Sequence, residues 1–175
     1  MCIRDSLYVG LESMEADILE SYNKGIEPST NRKTVEILRE LEIGLHAALM
    51  VHPNFSEADF LKLRKTVESL LPSEITFTVF SPSPGTELWK KHRDEFICSD
   101  PYTFYDCMHT LLPTKIPIEK FYRNFAFLYL MAFRNNPWRL NKVKVQFKDF
   151  ARFMWRGALY GSALRNIHAD YKTKS

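Results

Sequence analysis

Leu45-His46-Ala47-Ala48-Leu49-Met50-Val51 is a nearly unbroken apolar run. It is too short for an ordinary helix, and its continuous apolar character fits a strand buried on both faces of a parallel sheet. Working outward, Thr30 or Asn31 begins a helix that places Val35, Leu38 and Leu41 on one face, and Gly44 ends it. On the other side Ser56-Glu57-Ala58-Asp59 opens a helix with Phe60, Leu63, Val67 and Leu70 along one side. Glu74 to Phe80 is β-branched and aromatic, as strands are. Ser81-Pro82-Ser83-Pro84-Gly85-Thr86 is a rigid loop, and a helix runs from Glu87 to about Glu95. Upstream, Leu7–Leu11 reads as the end of a buried strand. Ser13 reads as the N-cap of a helix to about Tyr22, which Lys24-Gly25 closes with a left-handed glycine.

Strands alternating with helices define an α/β chain with parallel strands and right-handed crossovers. Three such units are too few to close a barrel and would leave an open sheet edge. The sequence therefore reads as part of a larger protein, with Met1–Ser6 a non-native start. The organisation expected is residues 1–6 outside the fold, 7–97 as strand–helix units, and 98–175 as a mainly helical region. In that last region Phe121, Phe125, Leu128 and Ala132 share a helix face that Asn135-Asn136-Pro137 ends. A shorter helix follows Pro137, and another runs from about Lys148 to Asp170.

Composition narrows the function classes. The chain has 175 residues, 45% hydrophobic and 26% charged, which is a globular composition. A net charge of +3 is too small to imply nucleic acid. No apolar run approaches the roughly 18–20 residues that span a bilayer. The 3 cysteines form no CxxC, and they cannot supply the full ligand set of a structural zinc or an iron–sulfur cluster from one compact motif. An odd count with no secretory signal fits a reducing, cytoplasmic compartment.

The candidate chemistry lies at the C-terminal ends of the strands, where α/β barrels keep their sites. Glu12 follows the first strand and can accept from ribose hydroxyls or an ammonium group; it can equally serve the helix dipole. Lys24 can bind a carboxylate or phosphate, or answer a helix C-terminus. His52 is a base, a ligand or a satisfied structural group. The Ser81–Thr86 loop can present a stiff apolar wall to an aromatic ring. Asp106-Cys107-Met108-His109 sets a thiol near an imidazole but lacks a third orienting partner. The aromatic C-terminal helices, interleaved with Arg and Lys, are core faces or a membrane-surface contact.

Several of these segments resemble the C-terminal half of a cobalamin-binding radical SAM protein. Val9-Gly10-Leu11-Glu12-Ser13-Met14, Ile18-Leu19 and Asn23-Lys24-Gly25 resemble the family's fourth-strand element. Ala47–Val51 with His52-Pro53 stands at its fifth strand, though the usual glycine-rich turn is replaced. Thr78-Val79-Phe80-Ser81-Pro82-Ser83-Pro84-Gly85-Thr86-Glu87-Leu88 resembles its sixth-strand element. Phe104–His109, Phe121–Phe125 and Arg134–Arg139 are similar to the hopanoid C-3 methylases.

The resemblance implies half of a partial TIM-type barrel followed by a helical extension. It implies S-adenosylmethionine, a [4Fe-4S] cluster and cobalamin in the complete protein. It further implies methylation of a hopanoid-type lipid at an unactivated carbon through a 5′-deoxyadenosyl radical. Glu12, Ser13 and Lys24 would contact the S-adenosylmethionine, and Met50, Val51, Phe80, Ser81 and Pro82 would line its adenine. The CxxxCxxC loop is absent from this sequence, so the chain alone is expected to be inactive and to depend on an N-terminal portion. Other implied partners are a lipid substrate and a peripheral contact with the inner membrane. The alternatives are another cobalamin-type radical SAM enzyme, or a non-catalytic module that binds lipid or a partner.

Overall fold

The computed structural model describes residues 6–22, 24–70, 72–134 and 147–174. Strands β1 (Ser6–Glu12), β2 (Gly44–Val51) and β3 (Glu74–Val79) form one sheet in that order, with both pairings parallel. Helices α1 (Ala16–Ser21) and α2 (Pro28–Glu40) carry β1 to β2, and α3 (Glu57–Leu70) carries β2 to β3. Helix α4 (Glu87–His92) runs into a 3-10 turn at Arg93–Glu95. After an irregular stretch come α5 (Ile118–Arg134), α6 (Phe147–Asn166) and a 3-10 segment at Ile167–Lys174. The α/β reading with a parallel sheet therefore holds. Ser6, the last residue of the stretch read as a non-native start, pairs with Gly44. The reading of Met1–Asp5, the stop at Asn135-Asn136-Pro137 and the helix after Pro137 lie outside the described residues.

Several boundaries differ from the sequence expectation, each for a local reason. Helix α2 starts at Pro28 rather than at Thr30 or Asn31. Proline at the first helical position needs no N–H partner and has its φ already set. Gly44 does not end α2; it opens β2. The left-handed residue is Glu42 (φ 54), with Ile43 N donating to Leu38 O at 2.8 Å and Glu42 N to Arg39 O at 3.1 Å. This is a Schellman closure, and it sets apolar Ile43 beside Leu38. Gly25 is not left-handed either; α1 ends at Ser21, and Lys24 N donates back to Leu19 O at 3.1 Å. Helix α3 is capped reciprocally. Asp59 Oδ2 accepts from Ser56 N at 2.9 Å, and Ser56 Oγ accepts from Asp59 N at 3.3 Å, a capping box with aspartate in the acidic place.

The sheet is covered on one face only among the described residues, which corrects the reading of β2 as buried on both. Leu45, Ala47, Leu49 and Val51 are buried with Phe77 and Val79 against Val35 and Leu38 of α2, Phe60, Leu63 and Val67 of α3, and Phe121 and Phe125 of α5. The alternate residues Tyr8, Gly10, His46, Met50, Thr76 and Thr78 are exposed or half-buried, and only Ala48 is buried on that side. Period-2 alternation assigns the two sets to opposite faces. The open face carries small and polar groups. Tyr8 packs edge-on to His46 (4.7 Å), and His46 Nε2 lies 2.8 Å from Thr76 Oγ1.

The two sheet edges are treated differently. Along β3, the Tyr129 hydroxyl of α5 donates to Phe77 O (2.6 Å) and accepts from Phe77 N (3.2 Å), and Val79 N donates to Cys107 O (2.8 Å). These contacts satisfy backbone groups that would otherwise face another strand. Among the described residues no strand pairs with the outer edge of β1, where Leu7 and Tyr8 are 44% and 63% exposed. The expected burial of that strand is therefore met only at its end, where Leu11 is fully buried. No helix among the described residues is long and apolar enough to cross a membrane.

Candidate functional site

The site is built where β1 ends. The register slips between Gly10 and Glu12, so Leu11 is an extra residue in a β-bulge. Glu12 sits at φ 59. Ser13 N donates to Leu11 O at 2.6 Å, which makes Leu11-Glu12-Ser13 the rarer, strained form of γ-turn. This kink turns the Glu12 carboxylate back over the strand. A Cβ on Gly10 would stand 3.0 Å from Glu12 Oε1, so glycine there leaves room for the carboxylate on the open sheet face.

Lys24 Nζ meets Glu12 Oε1 at 3.0 Å. The two charged residues singled out from the sequence thus form one ion pair, reached by folding α1 back across the end of β1. Next to the pair, three rings gather at the ends of α1, β2 and β3. His52 stacks on Phe80 at 4.8 Å, Tyr22 stacks on Phe80 at 5.6 Å, and Tyr22 and His52 lie 5.9 Å apart. The Tyr22 hydroxyl donates to Met50 O at 3.3 Å. Burial, and then the Glu12 charge, push the Tyr22 phenol up, so it stays a neutral donor. The sequence signals Tyr22 only by its position two residues before Lys24.

The other sequence-derived residues occupy different layers of this site. Ser13 is buried and its hydroxyl accepts from Glu15 N at 3.1 Å, so its side chain shapes the turn instead of capping α1, whose N-cap is Glu15. Met50 is half-buried on the open face. The Val51 side chain is in the core, and Val51 O accepts from Phe80 N at 2.8 Å. Pro82 is buried, and Ser81 Oγ donates to His109 O at 3.0 Å. Cys107 and His109 belong to a separate cluster. His109 Nδ1 lies 2.8 Å from Asp106 Oδ2, and Nε2 lies 3.1 Å from Asp170 Oδ2. Tyr171 donates to Thr110 O at 2.9 Å and meets the Tyr122 hydroxyl at 2.8 Å. Asp106 and Asp170 thus occupy both imidazole nitrogens, and the cluster ties the loop after α4 to the C-terminal turn. Cys107 is exposed at φ 65 and gives its carbonyl to β3.

His52 has a defined protonation pattern. Its Nδ1 accepts from Asn54 N at 3.0 Å, so that nitrogen carries no proton. Burial, and then the nearby His92 charge, hold the imidazole below its ordinary range. A histidine whose folded pKa is depressed contributes stability that is present above its unfolded pKa, about 6.5, and is lost as pH falls through the folded value. His52→Phe keeps a stacking ring that cannot protonate. Its urea midpoint is expected to fall less than that of the wild type between about pH 7.5 and pH 5. Parallel declines would show that His52 does not carry this acid sensitivity.

The described residues thus form a parallel α/β sheet with a charged pair and an aromatic cluster at the C-terminal ends of its strands, the end at which open α/β sheets generally carry their sites. No family model matches the chain. It is similar to hopanoid C-3 methylase of Methylococcus capsulatus, with 28% identity over 116 residues, covering 66% of this chain and 22% of that protein. It is also similar to bacteriochlorophyllide d C-12(1)-methyltransferase of Chlorobaculum tepidum, with 28% identity over 133 residues, covering 73% of this chain and 28% of that protein. The likeness to hopanoid C-3 methylase read from the sequence is therefore found, over part of the chain. The chain spans less than a third of the length of either relative.

Proposed function

We propose that this chain forms the S-adenosylmethionine-binding side of a radical SAM methyltransferase of the cobalamin-binding type. The observation that carries the reading is the Glu12–Lys24 pair beside the Tyr22, His52 and Phe80 rings. A carboxylate and an ammonium 3.0 Å apart match the two ends of an α-amino acid. In this reading Glu12 takes the ligand's amino group and Lys24 its carboxylate, so each exchanges one ionic partner for another. The ring cluster, with Met50, Val51 and the Phe80-Ser81-Pro82 segment, offers flat apolar surface to the adenine. When bound, S-adenosylmethionine would supply a sulfonium open to one-electron reductive cleavage, the electron coming from a donor outside the described residues. The residues described here bind and orient it.

The sheet face and the β1 edge that stay uncovered among the described residues support reading residues 7–97 as half of a larger barrel whose interior is that face. Residues 98–175 then form the extension that seals β3. A [4Fe-4S] cluster does not fit the described residues of this chain. Cys98 and Cys107 form no disulfide, and among the described residues no group of three His, Cys, Asp or Glu side chains could hold a metal ion. In the proposed enzyme, cluster and cobalamin belong to the rest of the protein. The proposed substrate is a hopanoid-type polycyclic lipid. Its support is the similarity to hopanoid C-3 methylase and the exposed Trp155 and Leu159, one turn apart on α6 (67% and 53%), with exposed Arg156 between them. Such a face suits a peripheral contact with a cytoplasmic lipid surface.

Equilibrium dialysis of the chain against labelled S-adenosylmethionine tests the core of this reading. Saturable binding that S-adenosylhomocysteine and 5′-methylthioadenosine both displace is expected. Absence of saturable binding would sink it.

A further inference from the structure

Asn31 lies in the first turns of α2, far along the chain from the strained turn it touches. It is 4% exposed, one of the few buried polar residues among the described residues. Its Nδ2 donates to Leu11 O and to Ser13 O, both at 2.8 Å. Those carbonyls bracket Glu12, the residue at φ 59. An L-residue held at positive φ inside a γ-turn is strained and persists only where the surroundings over-determine it. The two hydrogens of one amide nitrogen, each on a carbonyl flanking the strained residue, supply that determination. Removing the amide would also leave two buried carbonyls without this donor.

We propose that Asn31 is a positioning residue: it clamps the Leu11-Glu12-Ser13 turn and so aims the Glu12 carboxylate across Gly10 toward Lys24. The inference rests on the proposed S-adenosylmethionine site for its functional consequence, but the clamp itself is a statement about the turn. Without it, Glu12 relaxes toward ordinary extended backbone, where the bulge is lost and the carboxylate leaves the open face. Asn31 touches no ligand in this scheme; it acts through Glu12.

The test compares the wild-type chain with Asn31→Leu and with Val67→Ala, a core truncation on α3. Hydrogen–deuterium exchange of residues 11–15 reads the turn, and equilibrium dialysis of S-adenosylmethionine reads the carboxylate. Asn31→Leu is expected to speed exchange at 11–15 by about tenfold or more while β2 and β3 stay protected. It is expected to weaken binding by about tenfold or more, and Val67→Ala by no more than about twofold, since Val67 shares no partner with the site. Unchanged exchange at 11–15 overturns the proposal, as does unchanged affinity in a variant whose turn has opened. An equal loss of binding in Val67→Ala also overturns it. Should the wild-type chain bind no S-adenosylmethionine, the proposed ligand falls and the exchange result alone decides the clamp. Should Asn31→Leu fail to fold, Glu12→Gly is added to it. Glycine takes positive φ freely, so recovery of the fold supports the clamp and continued unfolding overturns it.

Discussion

Replacing Phe60 with alanine is expected to lower the unfolding free energy by about 3–5 kcal/mol. Phe60 is fully buried on α3. Its ring meets Phe55 edge-on at 5.6 Å and Phe121 of α5 at 5.4 Å. Phe121 in turn meets Tyr122 at 5.3 Å, the residue whose hydroxyl accepts from Thr110 N at 2.9 Å. One ring thus links the strand–helix layer to α5 and, through it, to the loop that seals β3. Its neighbours sit on α3, on α5 and on the turn after His52, so they cannot all move inward to fill the hole. The penalty therefore lies at the cavity-forming end of the range. Domains of this size have only about 5–15 kcal/mol in total, so the loss is a large fraction of it. Leu130→Ala on α5, at a residue 63% exposed, is the control and should stay within about 0.5 kcal/mol. Urea unfolding followed by circular dichroism measures both. A Phe60→Ala loss below about 1 kcal/mol would mean that α3 and α5 do not share a core.

Phe60 also shows which parts of this fold are legible in the sequence. Its helix announces itself through the Ser56–Asp59 cap and the spacing of Phe60, Leu63, Val67 and Leu70, all of which are buried. Those signals are local, and local periodicity carries them. The strands are legible for the same reason, to within a residue at each end. The site is legible mainly by its charges and by His52 at the end of β2. Glu12 and Lys24 stand out because charged residues after apolar strands are informative. Their mutual contact, the bulge, and the left-handed backbone at Glu12 and Glu42 are not, since glycine is where positive φ is sought. The partners of Tyr22, Asn31 and Tyr129, and the Asp170 partner of His109, were invisible for a related reason. The groups they bond lie 28, 20, 52 and 61 residues away. Contacts at that separation are decided by packing, and no local pattern encodes them. The half-covered sheet is a further case: β2 is apolar but for His46, yet among the described residues only one of its faces is roofed by helices.

Replacing Glu12 with alanine is expected to weaken S-adenosylmethionine binding by about ten- to a hundredfold, the range for losing a charged hydrogen bond of about 1.5–3 kcal/mol. Stability should move far less. The ion pair with Lys24 is partly open to water, with the lysine side chain 42% exposed, and such pairs contribute at most about 1 kcal/mol. Alanine at this position still carries the positive φ, so the strain neither leaves nor grows. The interest of the variant lies in what it separates. A carboxylate after a parallel strand can serve a ribose hydroxyl or an ammonium group, and both need the same atom. Two ligands tell them apart. 5′-Methylthioadenosine keeps the adenine and ribose but has no amino-acid end. If Glu12 holds the ammonium, Glu12→Ala costs S-adenosylmethionine its affinity and leaves 5′-methylthioadenosine within about twofold, because the lost contact was never made. If Glu12 holds the ribose, both ligands lose together. Glu12→Gln sharpens the choice: an amide oxygen still accepts from a hydroxyl, but it no longer attracts a cation. The adjacency of Lys24 favours the first outcome, since a lysine 3.0 Å from the carboxylate has a matching anion in the ligand's amino-acid end and none in its ribose. Lys24→Ala should then spare 5′-methylthioadenosine as well, and a loss of both ligands there would return Glu12 to the sugar.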